Sequence, residues 1–164
     1  MNKRGFTLIE LIIVVAIIGL LAAAAFVAVD PAKRIGKAND ATRWADITAI
    51  ADAIMKYTVD QNGTLPSGVS SAVADTTYLL TVAGGSVTGK YCDALGSSTY
   101  NGLNISGDIV SAYIATMPID PEVTISIANA SSTSYYIVKD SNGRIKVGAC
   151  NESDYATASI YVQR

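Results

Sequence analysis

The N-terminal part of the chain is dominated by one apolar run. Residues 11–29 contain no charged side chain, and the run extends back to Phe6 with only Thr7 and Glu10 as polar interruptions. A helix of about 24 residues rises roughly 36 Å, which is enough to span a hydrocarbon core of about 30 Å. A soluble protein could bury such a helix only in a large core, which a chain of 164 residues lacks. The pattern therefore predicts a membrane-inserted helix.

Asp30 and Pro31 directly follow the apolar run. Asp is favoured at the N-cap of a helix and Pro at its first position, so a new helix can begin here. Pro31 can equally kink one continuous helix. The residues themselves leave both alternatives open.

An amphipathic helical pattern continues over residues 32–61. Apolar side chains recur at helical spacing on one face, and we expect that face, including Trp44, to form the core. The more polar first part, residues 33–40, predicts a solvent-facing or inter-subunit neck. Asn62-Gly63, with Pro66 soon after, predicts the end of the helix. The residues on the apolar face are Trp44, Ile47, Ile50, Ala51, Ile54, Met55, Tyr57 and Thr58.

The remainder of the chain has a β-rich pattern. Residues 64–107 predict a long loop with one strand or helical turn, and residues 108–116 predict a short helix. Asn142-Gly143 lies between two β-rich runs and predicts a hairpin rather than a calcium-binding loop. Three or four antiparallel strands packed on the long helix would give an α+β fold. The predicted strands are residues 123–128, 135–139, 144–149 and 158–163.

Composition argues against most catalytic and binding functions. The chain has no histidine, which removes the commonest general base and metal ligand and every Ser-His or Cys-His triad. Its formal net charge of −2 gives no basic excess for nucleic acid. We predict a chain that is not an enzyme and has no cofactor or metal site.

Residues 4–11, with the sequence RGFTLIEL, and the apolar run behind them resemble the N-terminus of type IV pilins and the related pseudopilins. The resemblance implies that a prepilin peptidase cuts between Gly5 and Phe6 and methylates the new amine of Phe6. It also implies one long, bent N-terminal helix packed on a small antiparallel sheet. The function implied is that of a structural subunit of a type IV pilus or pilus-like filament.

The same resemblance implies a domain organisation, a location and partners. Residues 1–5 would be the leader, 6–29 the transmembrane and filament-core helix, 30–61 its amphipathic continuation, and 62–164 the extracytoplasmic globular part. The chain would cross the cytoplasmic membrane once with its C-terminal domain outside, and later enter an extracellular filament. Its partners would be the prepilin peptidase, identical or related subunits, the assembly platform with its ATPase, and lipid before assembly.

Glu10 is the residue that we expect to act in assembly. A carboxylate at the centre of a membrane helix costs about 2.5–3.5 kcal/mol, and less near its end. In a filament of staggered helices, Glu10 could pair with the Phe6 amine of a neighbouring subunit, which would fix the register of the helices.

Three alternatives share parts of this pattern. A secreted or signal-anchored binding domain, with a cleaved signal peptide or an uncleaved anchor, would have the same basic start and apolar run. A type II secretion pseudopilin would bind calcium, and Asp120 and Glu122 are the candidate ligands, although Glu122 and Val123 replace the Trp-Gly expected there. A DNA-uptake pilin could use the basic residues after the apolar run, which we expect instead to face headgroups or neighbouring subunits. Those residues are Lys33, Arg34, Lys37 and Arg43.

Two further features depend on where the C-terminal part lies. Cys92 and Cys150 are the only cysteines, and outside the membrane we expect them to form a disulfide, with two buried thiols as the alternative. Four Asn-x-Ser/Thr triplets are candidate glycosylation sites, but one or two would occur by chance. They begin at Asn62, Asn104, Asn129 and Asn151.

Overall fold

The structure, a computed structural model of the 164-residue chain, describes residues 5–82, 86–88, 92, 99–122 and 132–164. The chain divides into two compact units, Met1–Ile35 and Gly36–Arg164. Each unit is described by itself below.

The first unit contains helix α1, Leu8–Val29, and the first turn of helix α2, Pro31–Asp60. Thr7 caps α1 by accepting the Glu10 N–H on its Oγ1 at 3.3 Å. No residue of α1 is buried. By length and composition, one helix among the described residues is suited to cross a membrane, and it includes α1.

Asp30 separates the two helices. Its φ of 44° lies in the left-handed region, which Asp tolerates better than most residues, and this conformation ends α1. Its carboxylate then accepts the Lys33 N–H at 3.3 Å, so that Asp30 is the N-cap of α2 and Pro31 its first residue. The structure combines the two alternatives that the sequence left open: the long N-terminal helix, Leu8–Asp60, is bent at Asp30, and α2 begins there at Pro31.

The C-terminal end of α2 follows the sequence prediction closely. Asn62 has a φ of 53° and donates its N–H to the Val59 carbonyl at 3.3 Å, while Gly63 donates to the Thr58 carbonyl at 2.7 Å. These two bonds form a Schellman motif with Asn62 in the left-handed position. The predicted end at Asn62-Gly63 is confirmed.

The second unit contains a six-stranded sheet with the order β2-β3-β1-β4-β5-β6. Neighbouring strands are antiparallel except β1 and β3, which are parallel. Two short helices, α3 at Ser67–Ser71 and α4 at Ser106–Ile109, lie in the connections. The strands are β1 Thr77–Thr81, β2 Ser86–Thr88, β3 Thr99–Leu103, β4 Ser132–Lys139, β5 Ile145–Ala149 and β6 Tyr161–Gln163.

The α+β class is confirmed, but the sheet is larger than the sequence predicts. Residues 64–107 contain three strands rather than one, because their short Ser-, Thr- and Gly-rich segments are paired by neighbours distant in sequence. The helix predicted at residues 108–116 is α4, which begins earlier and ends at Ile109. The strand predicted at residues 123–128 lies outside the described residues.

The predicted hairpin is confirmed between β4 and β5. Asp140 and Arg144 close a three-residue loop, and Gly143 has the positive φ of 83° that such a loop requires. The Asp140 carboxylate accepts the N–H groups of Asn142 and Arg144 at 2.8 and 2.7 Å. This carboxylate therefore stabilises its own turn.

The core lies between α2 and one face of the sheet. Ile47, Ile50 and Ile54 of α2 are fully buried against residues such as Tyr135 and Val147 of the sheet. The Tyr135 hydroxyl donates to the Asp46 carboxylate at 2.6 Å, which ties β4 to α2. Burial, and then this bond to Asp46, raise the pKa of Tyr135 above its ordinary value.

Two members of the predicted apolar face are exposed and do not belong to the core. Trp44 is 44% exposed and Met55 is 38% exposed. The helical pattern marks a broad stripe, whereas the sheet covers only the narrower face around Ile47, Ile50 and Ile54.

Candidate functional site

The N-terminal site begins just before α1. Gly5, Phe6 and Thr7 precede the helix, and the Phe6 side chain is 79% exposed. Glu10 lies in the first helical turn and is also exposed. The backbone between Gly5 and Phe6 is thus outside regular structure, where an enzyme can reach a peptide bond.

Beyond Glu10, the surface of α1 is apolar on every side. Its large apolar side chains are all exposed, from Leu8 at one end to Val29 at the other. A helix that is apolar all round is stable only in an apolar environment, such as lipid or the interior of a helical assembly.

A second feature, in the other unit, is a buried charge cluster centred on Arg43. The Arg43 side chain is fully buried. Its Nε and Nη2 atoms donate to the two carboxylate oxygens of Asp120 at 2.7 and 3.1 Å. Nη1 donates to Asp40 at 2.8 Å, and Nη2 also donates to Glu122 at 2.6 Å. One guanidinium therefore binds three carboxylates, and we call these four residues the Arg43 cluster.

Further hydrogen bonds hold the carboxylates of the Arg43 cluster in place. Asp40 accepts the backbone N–H of Ser153 at 3.1 Å and also its hydroxyl. Glu122 accepts from the Asn39 side chain at 2.7 Å and donates its own N–H to Asp120 at 2.8 Å. The cluster thereby joins α2 to the chain around residues 120–122 and to the chain around residue 153.

These contacts shift the ionisation of the cluster in a consistent direction. Burial alone would lower the pKa of Arg43, but its hydrogen bonds to Asp120, Glu122 and Asp40 outweigh burial and raise it. Burial alone would raise the pKa of Asp40, but hydrogen bonds from Ser153 and Arg43 lower it below 3.8. Hydrogen bonds from Arg43 and Asn39 lower the pKa of Glu122 below 4.5. The charged forms are therefore favoured.

The position of Arg43 corrects one expectation from the sequence. Arg43 does not face headgroups, neighbouring subunits or DNA, because it is buried and its guanidinium is bound to carboxylates of its own chain. The exposed basic residues of this region are Lys33, Arg34 and Lys37. A sequence signal for this role exists, since position 43 precedes Ile47 and Ile50 on the buried stripe of the helix.

The two candidate calcium ligands belong to the Arg43 cluster. Both oxygens of Asp120 and one oxygen of Glu122 accept hydrogen bonds from Arg43. The positive charge that these acids face in the structure is therefore a guanidinium. Among the described residues, no group of three or more acidic or cysteine side chains is arranged to hold a metal ion.

Cys92 and Cys150 form a disulfide, and both are buried. The Cys150 N–H donates to the Ser134 carbonyl at 2.9 Å, which holds this end of the disulfide against β4.

Comparison with known families identifies the N-terminal site. A family model described as the prokaryotic N-terminal methylation motif matches residues 1–26. This is the prepilin signature of type IV pilins and pseudopilins. The signature supports the pilin or pseudopilin class, indicates a structural subunit rather than an enzyme, and implies processing by a prepilin peptidase. Neither the curated proteins nor the solved structures gave a match to this chain.

The Arg43 cluster predicts that acid destabilises the second unit. Asp40 and Glu122 have pKa values below their ordinary 3.8 and 4.5 when folded, so the unfolded chain binds more protons. Their stabilisation is complete above about pH 5 and is lost as the pH falls through the ordinary values towards the folded ones. Thermal unfolding of the detergent-solubilised chain, followed by Trp44 fluorescence, should show a falling Tm in this range. Glu122→Gln should flatten that fall, whereas exposed Asp154→Asn should leave it unchanged.

Removal of Arg43 should be among the most destabilising single changes in the second unit. Arg43→Met keeps approximately the side-chain length but leaves the buried Asp120 carboxylate without its cationic partner, at a cost of about 3–5 kcal/mol. Arg144→Met is a matched control, because Arg144 is 62% exposed and its ion pair with Asp140 contributes at most about 1 kcal/mol. Urea unfolding measures both variants, and equal losses would contradict the structural role given to Arg43.

Proposed function

We propose that this chain is a structural subunit of a type IV pilus or a pilus-like filament. In this proposal the chain is cleaved between Gly5 and Phe6, methylated on the Phe6 amine, and polymerised through α1. The single observation that carries the proposal is the N-terminal methylation motif over residues 1–26. The fully exposed apolar surface of α1 supports it.

The structure of α1 suits two successive environments. Before assembly, the helix anchors the subunit in the cytoplasmic membrane, with residues 62–164 outside. During assembly it moves from lipid into the core of a filament, where the α1 helices of other subunits surround it. Because both environments are apolar, the helix need not pass through water, and the cost of exposing its side chains is avoided.

Glu10 and Phe6 supply the polar contact of this assembly. Cleavage leaves a positive amine on Phe6, one helical turn from Glu10, and both residues are exposed in the monomer. In the filament, Glu10 of one subunit pairs with the Phe6 amine of its neighbour. An unpaired carboxylate in an apolar bundle is unfavourable by several kcal/mol, so the pair selects one stagger between helices.

The proposed partners follow from this cycle. A prepilin peptidase processes the leader at residues 1–5, and an assembly platform with its ATPase extracts the subunit from lipid. Identical or related subunits then form the filament outside the cell. The runner-up, a type II secretion pseudopilin, would share the first step and differ in the machinery that it joins.

The mature N-terminus is the most direct test of the proposal. Mass spectrometry of the chain purified from cells that express it with its own prepilin peptidase should find an N-terminus at Phe6 carrying one methyl group. The same chain from peptidase-deficient cells is the control and should keep residues 1–5. An N-terminus near Ala25, or an uncleaved chain in both strains, would exclude the pilin and pseudopilin class.

Substitution of Glu10 tests the assembly contact separately from processing. Glu10→Gln preserves size and polarity but removes the charge, so processed subunits should accumulate in the membrane while surface filaments fall below detection. Electron microscopy counts the filaments, and the mass of the membrane pool shows whether cleavage and methylation continue. Normal numbers of filaments from Glu10→Gln and Glu10→Ala chains would refute the pairing of Glu10 with Phe6.

A further inference from the structure

The four Asn-x-Ser/Thr triplets are equivalent in sequence but not in the structure. Such a triplet is an acceptor for an N-linked glycan only if its Asn amide can carry a bulky group at the protein surface. Three of the triplets, at Asn62, Asn104 and Asn151, lie in the described part of the chain. The triplet at Asn129 lies outside the described residues.

The residues of the Asn104 triplet are held by hydrogen bonds and burial in the folded chain. The Asn104 amide group donates to the Val82 carbonyl at 3.1 Å, and its oxygen accepts the Ser106 N–H at 2.8 Å. Ile105 between them is fully buried, and the hydroxyl of Ser106 is also buried. A glycan here would compete with the folded arrangement of all three residues.

Residues of the Asn151 triplet also make hydrogen bonds within the folded chain. Glu152 accepts the Ile160 N–H at 2.7 Å, and the Ser153 hydroxyl donates to Asp40 of the Arg43 cluster. Cys150, immediately before Asn151, is held in the disulfide. The serine of this triplet is therefore unavailable in the folded protein.

The Asn62 triplet differs from both. Asn62, Gly63 and Thr64 are all exposed and lie in the turn that follows α2. Asn62 contributes its backbone N–H to the Schellman motif, and its side chain makes no hydrogen bond to any residue that the structure describes. A group attached to the amide nitrogen would extend into solvent without disturbing a described contact.

An apolar groove lies beside the last turns of α2. The groove has a volume of about 440 Å³ and is lined by residues that include Met55, Val59, Asp60 and Tyr113. Val59 is 74% exposed, and its carbonyl accepts the backbone N–H of Asn62 at 3.3 Å. The groove therefore lies within one turn of Asn62 along the chain, and none of its lining residues belongs to the triplet.

We propose that Asn62 is an N-glycosylation site, modified by a lipid-linked glycosyl pyrophosphate on the outer side of the membrane. The Asn62 amide nitrogen forms a bond to the anomeric carbon of the first sugar. The bond from that carbon to the phosphate oxygen breaks, the lipid pyrophosphate leaves with the electron pair, and the amide proton passes to a base. The proposal depends on the proposed function only in requiring that this end of α2 lies outside the cytoplasm.

Tryptic digestion of the reduced native chain isolates the Asn62 triplet. Cleavage after Lys56 and Lys90 gives peptide 57–90, which contains Asn62 and no other triplet. Asn104 and Asn129 fall in peptide 91–139, and Asn151 falls in peptide 147–164. Mass spectrometry should find a saccharide on peptide 57–90, and its enzymatic release should convert Asn62 to Asp. Peptide 147–164 should be unmodified.

A conservative pair of variants tests the assignment without disturbing the left-handed Asn62. Thr64→Ala destroys the triplet and should abolish the saccharide, whereas Thr64→Ser preserves the triplet and should retain it. An unmodified peptide 57–90 from a chain with a methylated Phe6 would overturn the glycosylation proposal and leave the proposed function intact. A saccharide located on a Ser or Thr of that peptide, or retained in Thr64→Ala, would also overturn it.

Discussion

The bidentate ion pair between Arg43 and Asp120 is the contact on which the arrangement of the second unit depends. Both side chains are fully buried. Asp120 also donates its N–H to the Thr133 carbonyl at 3.0 Å, so one residue links α2 with β4. Buried ion pairs contribute little net stability relative to apolar packing, but they impose a strict geometry, because a misplaced partner leaves a charge without solvent. The Arg43 cluster therefore specifies how α2, residues 120–122 and residue 153 meet.

The elements that could be predicted from the sequence are those determined by neighbours along the chain. The run at residues 11–29 and the turn at Asn62-Gly63 are local signals, and the structure has the corresponding helix and helix end. Asp30-Pro31 marked the junction between the helices, but the sequence left open whether a helix begins or bends there. The hairpin at Gly143 is also determined locally, since the left-handed conformation of one residue determines the loop. The prepilin signature is likewise contiguous, and a family model recognises it in residues 1–26.

The elements that could not be predicted depend on residues far apart in sequence. Strand β1 pairs with β3 in parallel and with β4, which is more than fifty positions away, and no local pattern in this Ser- and Thr-rich region specifies either partner. The neighbouring residues Arg43 and Trp44 of α2 show that burial, too, depends on partners distant in sequence. Hydrophobicity assigns the arginine to the surface and the tryptophan to the core, whereas Asp120 draws the arginine inside and Trp44 remains at the edge of the covered face. The sequence prediction placed the Arg43 side chain at the surface because its partner, Asp120, lies 77 residues away in the chain.

The disulfide between Cys92 and Cys150 has a mechanical consequence when the chain is pulled at its two ends. The two cysteines are 58 positions apart, and that length of chain, fully extended, would measure roughly 200 Å. The covalent loop contains the whole of the β4–β5 hairpin, so a pulling force applied at the ends of the chain is carried across the disulfide and does not stretch the hairpin. In an oxidising environment, the part of the chain that a pulling force can extend is therefore restricted to α1, α2, the segment up to Cys92 and the last residues after Cys150.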